Sequence, residues 1–307
     1  MKKTKIALIL GGGGARGLAH IGVLKALEEN GIAIDMVIGT SMGAMVGAVY
    51  AQNPDAKELE KKFVSFLKSE RFQSIGINRF DKEQSEPDNL LEQITKKIKR
   101  RVIINLAAHR QSLFKGERLM VAINQLINEG LIQDAKLPFA CSALDLSKLE
   151  EVIFDRGDIR TAVSASSSIP GFLPPVEIDD ELYVDGSICT NFPWVYTRNH
   201  GADIIIAVDV TLKNTQIVNP DNVIDIIMRT SMAANYKINR LALDNVDFVI
   251  RPALGQIFWN EFDRYDSLIE LGYTETKKCI NSINEIIYRH NKYTTRIKKR
   301  ILKIFGI

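Results

Sequence analysis

Gly39-Thr40-Ser41-Met42-Gly43 sets one serine between two glycines, directly after the apolar run Met36–Ile38 and just before the small residues Ala44, Gly47 and Ala48. Glycines two before and two after a serine permit a sharp strand-to-helix turn that pushes the hydroxyl outward. The chemistry this allows is acyl transfer, in which the hydroxyl attacks an ester carbonyl once a base takes its proton. A serine that only caps the following helix would have the same residue type at the same place. A glycine-rich segment upstream bears on the choice.

That segment is Gly11 to Gly17, where Gly12, Gly14 and Gly17 satisfy G-x-G-x-x-G at the start of a helical pattern. A dinucleotide site also needs an acid about 20 positions on, at the end of the second strand. Here Asp35 begins that strand, which ends in Gly39, Thr40 and Ser41. A P-loop needs a lysine after its glycines, whereas this loop continues with Ala15 and Arg16. What remains is a row of backbone amides at a helix N-terminus, a site for negative charge.

A serine hydroxyl needs a base. The four histidines are His20, His109, His200 and His290, and none lies on a loop leaving a strand. A carboxylate does: Asp185 follows the strand-like run Leu182–Val184 and precedes the permissive Gly186. Asp145, Asp179 and Asp209 also lie near strand ends, so position alone leaves them open.

Three motifs in this order, Gly12-Gly13-Gly14-Ala15-Arg16-Gly17, then Gly39 to Gly43, then Asp185-Gly186-Ser187, resemble those of the patatin-like phospholipases. The segment Ala165 to Val176 is similar to the stretch that precedes the family's aspartate, and the likeness covers residues 5 to 210. The resemblance implies that Ser41 is the nucleophile and Asp185 its only base, a Ser-Asp dyad with no histidine. It also implies an oxyanion hole from Gly12, Gly13, Gly14 and Met42, supported by Arg16, Gly17, Gly39, Gly43 and Gly186, with no metal and no cofactor. Arg16 would hold a lipid phosphate or pair with a buried acid to fix the loop. Ser187 departs from the family, which usually has Gly or Ala there.

These residues need a frame. Short apolar runs alternate with longer helical patterns, as in a mostly parallel sheet covered on both faces. The spacing predicts strands at Lys5–Leu10, Met36–Ile38, Phe139–Leu144, Val152–Phe154, Leu182–Val184, Ile204–Val208 and Phe248–Ile250. Helices are expected at Leu18–Asn30, Gly43–Gln52, Asp55–Leu67, Asn89–Ala107, Glu117–Asn128, Val223–Leu243, Leu268–Tyr288 and Thr295–Phe305, with a mobile loop at Phe72–Asn89. The fold class is therefore α/β, a three-layer α/β/α arrangement of the patatin-like kind. A catalytic domain over 1–250 and a helical C-terminal extension over 251–307 are expected.

With 46% apolar and 25% charged residues in 307, the chain has the composition of a globular protein with a sizeable core. Net charge is only +3, which argues against a nucleic-acid partner. Three widely spaced cysteines suit a reducing compartment. No run approaches the roughly 18 apolar residues of a membrane span, so a cytoplasmic location is expected, with peripheral contact at the inner membrane face. That contact would use two basic amphipathic segments, Lys96–Arg101 with its flanks and the tail from Arg296 to Phe305. The resemblance implies a phospholipid or other lipid ester as substrate. A soluble esterase or thioesterase, or a lipid-binding scaffold without turnover, are the alternatives, and homo-oligomerisation stays open.

Overall fold

β1 (Ile6–Leu10) is apolar at every position and buried throughout, as a strand covered on both faces must be. Ile6, Leu8 and Leu10 belong to one buried cluster, Ala7 and Ile9 to another. Alternate side chains of a strand point to opposite faces, so an apolar layer lies on each side of the sheet. The computed structural model describes residues 3–75, 112, 116–211 and 223–305.

Seven further strands complete the sheet: β2 (Met36–Thr40), β3 (Phe139–Asp145), β4 (Glu150–Phe154), β5 (Val176–Ile178), β6 (Glu181–Asp185), β7 (Ile204–Val208) and β8 (Phe248–Ile250). Their order is β5-β6-β3-β2-β1-β7-β8, with β4 pairing β3 off this path. From β3 to β8 the neighbours run parallel. β4, β5 and β6 join antiparallel. This is the expected three-layer α/β/α fold with a mostly parallel sheet.

One layer holds α1 (Ala19–Glu29), α2 (Met42–Gln52), α3 (Ala56–Leu67), α4 (Glu70–Ile75), α5 (Glu117–Leu126) and α6 (Ile159–Ser166). The other holds α7 (Trp194–Asn199) and the C-terminal end of α8 (Val223–Leu243), which packs Ala242 and Leu243 beneath Ala7 and Ile9. The last helix, α9 (Tyr265–Phe305), runs unbroken across the gap expected between Tyr288 and Thr295. The intervening residues are polar but include no glycine or proline, so nothing there stops a helix.

Leu268, Ile269, Ile280 and Ile283 of α9 share the main buried cluster with Leu24 and Leu27 of α1. The two helices approach so closely that a methyl group on Gly22 would strike the Ile269 carbonyl, and one on Gly272 the Ala19 carbonyl. Farther along, Asn291 accepts a hydrogen bond from Thr4 at the amino end of β1, 2.5 Å away.

α4 takes Phe72 out of the expected loop and packs it edge-on against Phe66 and Phe262, at 5.5 and 5.6 Å between ring centres. From residue 76 on, that loop lies outside the described residues, as do the helix expected at Asn89–Ala107, the basic cluster Lys96–Arg101 and His109.

Candidate active site

The register of β3 brings Ser41 and Asp185 together. Along one edge, Val37 to Thr40 of β2 pair with Phe139 to Ser142 of β3. From the next residue β3 changes partner on that edge: Ala143 pairs with Asp185, the last residue of β6. The opposite edge is occupied by β4 across the change. β2 and β6 therefore meet end to end, one arriving parallel to β3 and the other antiparallel. The residue after β2 and the last residue of β6 face each other across that junction.

Ser41 has φ 55 and ψ −123, a left-handed conformation that costs a non-glycine residue on the order of 1–3 kcal/mol. Its surroundings hold it there. The Ser41 amide donates to Ser166 Oγ at 3.0 Å, Ser167 Oγ donates to the Ser41 carbonyl at 3.3 Å, and the Ala44 amide closes α2 on that carbonyl at 2.9 Å. Gly43 packs directly on the Leu10 carbonyl and Gly39 on the backbone of Ala44, so a side chain at either would open the turn.

Asp185 is 1% exposed. Burial lifts its carboxyl above the ordinary value of 3.8, while hydrogen bonding by the side chains of Ser41 and Ser187 and by the Ser187 amide pulls it back down. The Ser187 amide lies 2.8 Å from Oδ1. A desolvated carboxylate in contact with a serine hydroxyl can serve as a proton acceptor.

The other acids are otherwise engaged. Asp145 accepts from the amides of Ser147 and Lys148 and pairs with the Lys148 ammonium. Asp209 accepts from Thr211 and pairs with Arg251 at 3.0 Å. Asp179 sits in the exposed turn between β5 and β6.

None of the described histidines approaches the serine as a base. His20 is fully buried in α1, its Nε2–H donating to the Gly11 carbonyl at 2.7 Å, and burial lowers its pKa to about 4. It is therefore neutral and holds the start of the glycine loop. His200 donates from Nδ1 to the Tyr196 carbonyl and stacks on that ring. His290 lies on α9, next to the residue bonded to Thr4.

The glycine loop passes beside Ser41, and a methyl group on Gly12 would lie 3.1 Å from Ser41 Cβ. One expected oxyanion donor is corrected: the Gly12 amide is committed to Asn191 Oδ1 at 3.0 Å. Among the described residues, the amides of Gly13, Gly14 and Met42 donate to no protein acceptor. Gly14 has φ +57 and abuts the Trp259 carbonyl, which accepts from the Ala15 amide.

Arg16 is buried too deeply to reach a lipid phosphate. It donates from Nε to the Val210 carbonyl at 2.9 Å and from Nη1 to the Ile257 carbonyl at 3.2 Å, with burial lowering its pKa to about 10 against the pull of Asp209. These bonds tie the glycine loop to the backbone at Val210 and Ile257. Gly17 lies against the Met42 side chain, and Gly186 against Ser142.

Two groups of supporting residues escape motif reading. The serine run Ser166 to Ser168 ends α6 and joins both halves of the site, since the Ser168 carbonyl accepts from the Asp185 amide at 2.9 Å. Three successive serines within an apolar segment are a visible signal. The second group is an asparagine ladder: the Asn191 amide donates to Asn239 Oδ1 at 2.8 Å, Asn239 Nδ2 donates to Asn235 Oδ1 at 2.7 Å, and Asn235 donates to the Ser187 carbonyl. Its asparagines lie four apart on α8, yet their partners are some fifty residues away in sequence.

Residues 8–197 match the family model described as patatin-like phospholipase. Patatin-like phospholipase domain-containing protein 6 of Homo sapiens is 33% identical over 207 residues, 67% of this chain and 13% of that protein. Lysophospholipase NTE1 of Pyricularia oryzae is 29% identical over 296 residues, 87% of this chain and 18% of that protein. The chain thus spans under a fifth of the length of these relatives. Among solved structures, human GIVD cytosolic phospholipase A2 with a fluorophosphonate inhibitor and terbium chloride superposes with a TM-score of 0.50 at 11% identity, over 94% of this chain and 60% of that one. That likeness is one of fold. On the extent of the model match, the chain belongs to the patatin-like phospholipase family.

Proposed function

We propose that this chain is a lipid acyl hydrolase that cleaves carboxylic esters of phospholipids or related lipids through an acyl-enzyme on Ser41. The observation that carries the reading is the strained Ser41 turn facing a desolvated Asp185 carboxylate to which its hydroxyl is hydrogen-bonded. The names of the relatives, phospholipase and lysophospholipase, supply the substrate class.

Ser41 Oγ attacks the ester carbonyl as Asp185 takes its proton. The negative charge that develops on the carbonyl oxygen is met by the amides of Gly13, Gly14 and Met42, worth about 3 kcal/mol for each donor aimed at it. Gly12 serves the hole indirectly, since its bond to Asn191 sets the course of the loop. Collapse of the intermediate expels the alcohol, which leaves with the proton held by Asp185. Water then attacks the acyl-serine as Asp185 accepts its proton, and collapse of this second intermediate returns the proton to Ser41 Oγ and releases the carboxylic acid.

The test is release of fatty acid from phosphatidylcholine and lysophosphatidylcholine vesicles, alongside covalent labelling with a lipid fluorophosphonate. Fatty-acid release, with the label on the peptide containing Ser41, is the expected result. Turnover of short soluble esters alone would move the protein to the esterase class. A label on another residue would remove Ser41 from the chemistry.

A further inference from the structure

The carboxyl end of α8 buries Ala242 and Leu243, but the middle of the helix does not follow suit. The residues it turns inward at the site are polar: Asn239 is buried and bonded to Asn191, and Asn235 reaches the Ser187 carbonyl, two residues beyond Asp185. Outward it carries apolar side chains. Ile227, Ala234, Ile238 and Leu241 recur at i, i+7, i+11 and i+14, which is one side of an α-helix, and all four are exposed, Ile227 at 58% and Leu241 at 56%. Single exposed apolar residues are ordinary, but a contiguous stripe marks a surface with a partner. Lys237 is exposed and lies about 70° round the helix from the centre of the stripe, and like Arg229 and Arg240 farther round the same helix it makes no ion pair among the described residues. Apolar side chains beside unpaired cations are what an anionic lipid surface takes up.

Position gives the same answer. Ile188, three residues after Asp185, is 45% exposed, and Phe258, beside the Trp259 carbonyl that holds the glycine loop, is half exposed. Exposed apolar side chains thus occur on α8, near Asp185 and beside the contact that holds the glycine loop. The basic tail of α9 lies elsewhere. Asn291 meets Thr4 at the amino end of β1, whereas Ser41 and the glycine loop lie at the carboxyl ends of β2 and β1. Five strand residues at about 3.3 Å each separate the two ends by roughly 17 Å.

We propose that the outer face of α8 docks on an anionic phospholipid surface and sets the mouth of the Ser41 site against it. This rests on the lipid hydrolase reading for its purpose but not for its detection, because binding is measured without turnover. The asparagine ladder gives the helix a fixed place over the site while leaving its apolar side chains free for lipid.

The experiment uses the full chain carrying Ser41→Ala, co-sedimented with vesicles of phosphatidylcholine alone or with phosphatidylglycerol. Ile227→Ser with Leu241→Ser, and separately Lys237→Gln with Arg240→Gln, should each weaken binding to the mixed vesicles. The loss should be about fivefold for each cation removed. In the Ser41-intact background the same changes should slow vesicle hydrolysis and leave a short soluble ester turned over within about twofold, far less than a lost anchor residue would cost. Unchanged vesicle binding in both variants overturns the proposal. So does equal loss on vesicles and soluble ester, which would make these residues part of the site's own packing. A dimer in sedimentation that the Ser variants dissociate, with vesicle binding unaltered, would assign the face to a second copy instead. If wild type binds mixed vesicles through α8 yet releases no fatty acid, the docking surface stands and the hydrolase reading falls.

Discussion

Asp185, the proposed base, has two opposing effects acting on one carboxyl. Burial raises its pKa from 3.8, and donation by Ser41 and Ser187 restrains the rise. Activity needs the carboxylate, so it should fall as pH drops through this raised value. Ser187→Ala removes a donor that favours the charged form; the pKa then rises, and the acid limb of kcat/KM should move to higher pH by about one unit. A profile that stays in place, or moves down, would take Ser187 out of the site's electrostatics. His20 gives a second prediction, on stability. Its folded pKa is about 4 against 6.5 unfolded, so its contribution is complete above pH 6.5 and is lost as pH falls toward 4. The loss amounts to about 3 kcal/mol. Thermal unfolding should show wild type losing stability over that interval more steeply than His20→Gln, and parallel curves would contradict the assignment. Ser41 was legible because turn chemistry constrains its immediate neighbours, whereas Asp185 was singled out only by the family resemblance, since position left Asp145, Asp179 and Asp209 open. Asn191 was not, and the serine run was visible only as a family-like segment, because the partners of both are set by the register of segments far away in sequence.

At the scale of elements, the strands that position the site were readable from their apolar runs, β1 and β7 to within a residue. β5 was missed because three residues in an edge hairpin leave no periodicity. α6 was missed for another reason: its sequence, Ile159 to Ser166, is small and serine-rich, and Asp158 starts it by capping the Thr161 amide at 2.7 Å. The partner change along β3 has no sequence signature, since it depends on how β2 and β6 share one edge. Packing of α9 on α1 yields the third prediction. Gly272→Ala places a methyl group against the Ala19 carbonyl, a backbone atom that cannot swing away. Unfolding in urea should show a loss of about 1–3 kcal/mol, the usual range for overpacking. An unchanged midpoint would mean that the two helices separate without cost.

For the whole molecule, the proposed membrane contact would draw on two kinds of attraction, one from α8 and one from the tail of α9. Six basic residues and no acidic ones lie from Lys292 to Ile307, and charge acts over the Debye length, which shrinks from roughly 14 Å at about 50 mM salt to about 4 Å at about 500 mM. Removing this segment should therefore slow capture by anionic vesicles at low salt, and the deficit should disappear at high salt. Loss of the apolar face of α8 should leave a deficit at both, since burial of apolar surface is not screened. A tail deletion whose effect survives high salt, together with lower thermal stability, would instead make the tail part of the core.

All of this presupposes that Ser41 and Asp185 act as one unit with no histidine between them. The direct measurement is kcat on a soluble ester for Ser41→Ala, Asp185→Asn, the double variant, and His20, His109, His200 and His290 each changed to Ala. Each dyad variant should lose nearly all turnover and the double variant little more, because groups that move one proton together are not additive. Loss of turnover in the histidine variants should go no further than their loss of folded protein. Activity retained in Asp185→Asn, with abolition in a well-folded histidine variant, would contradict the account and give the proton to that histidine.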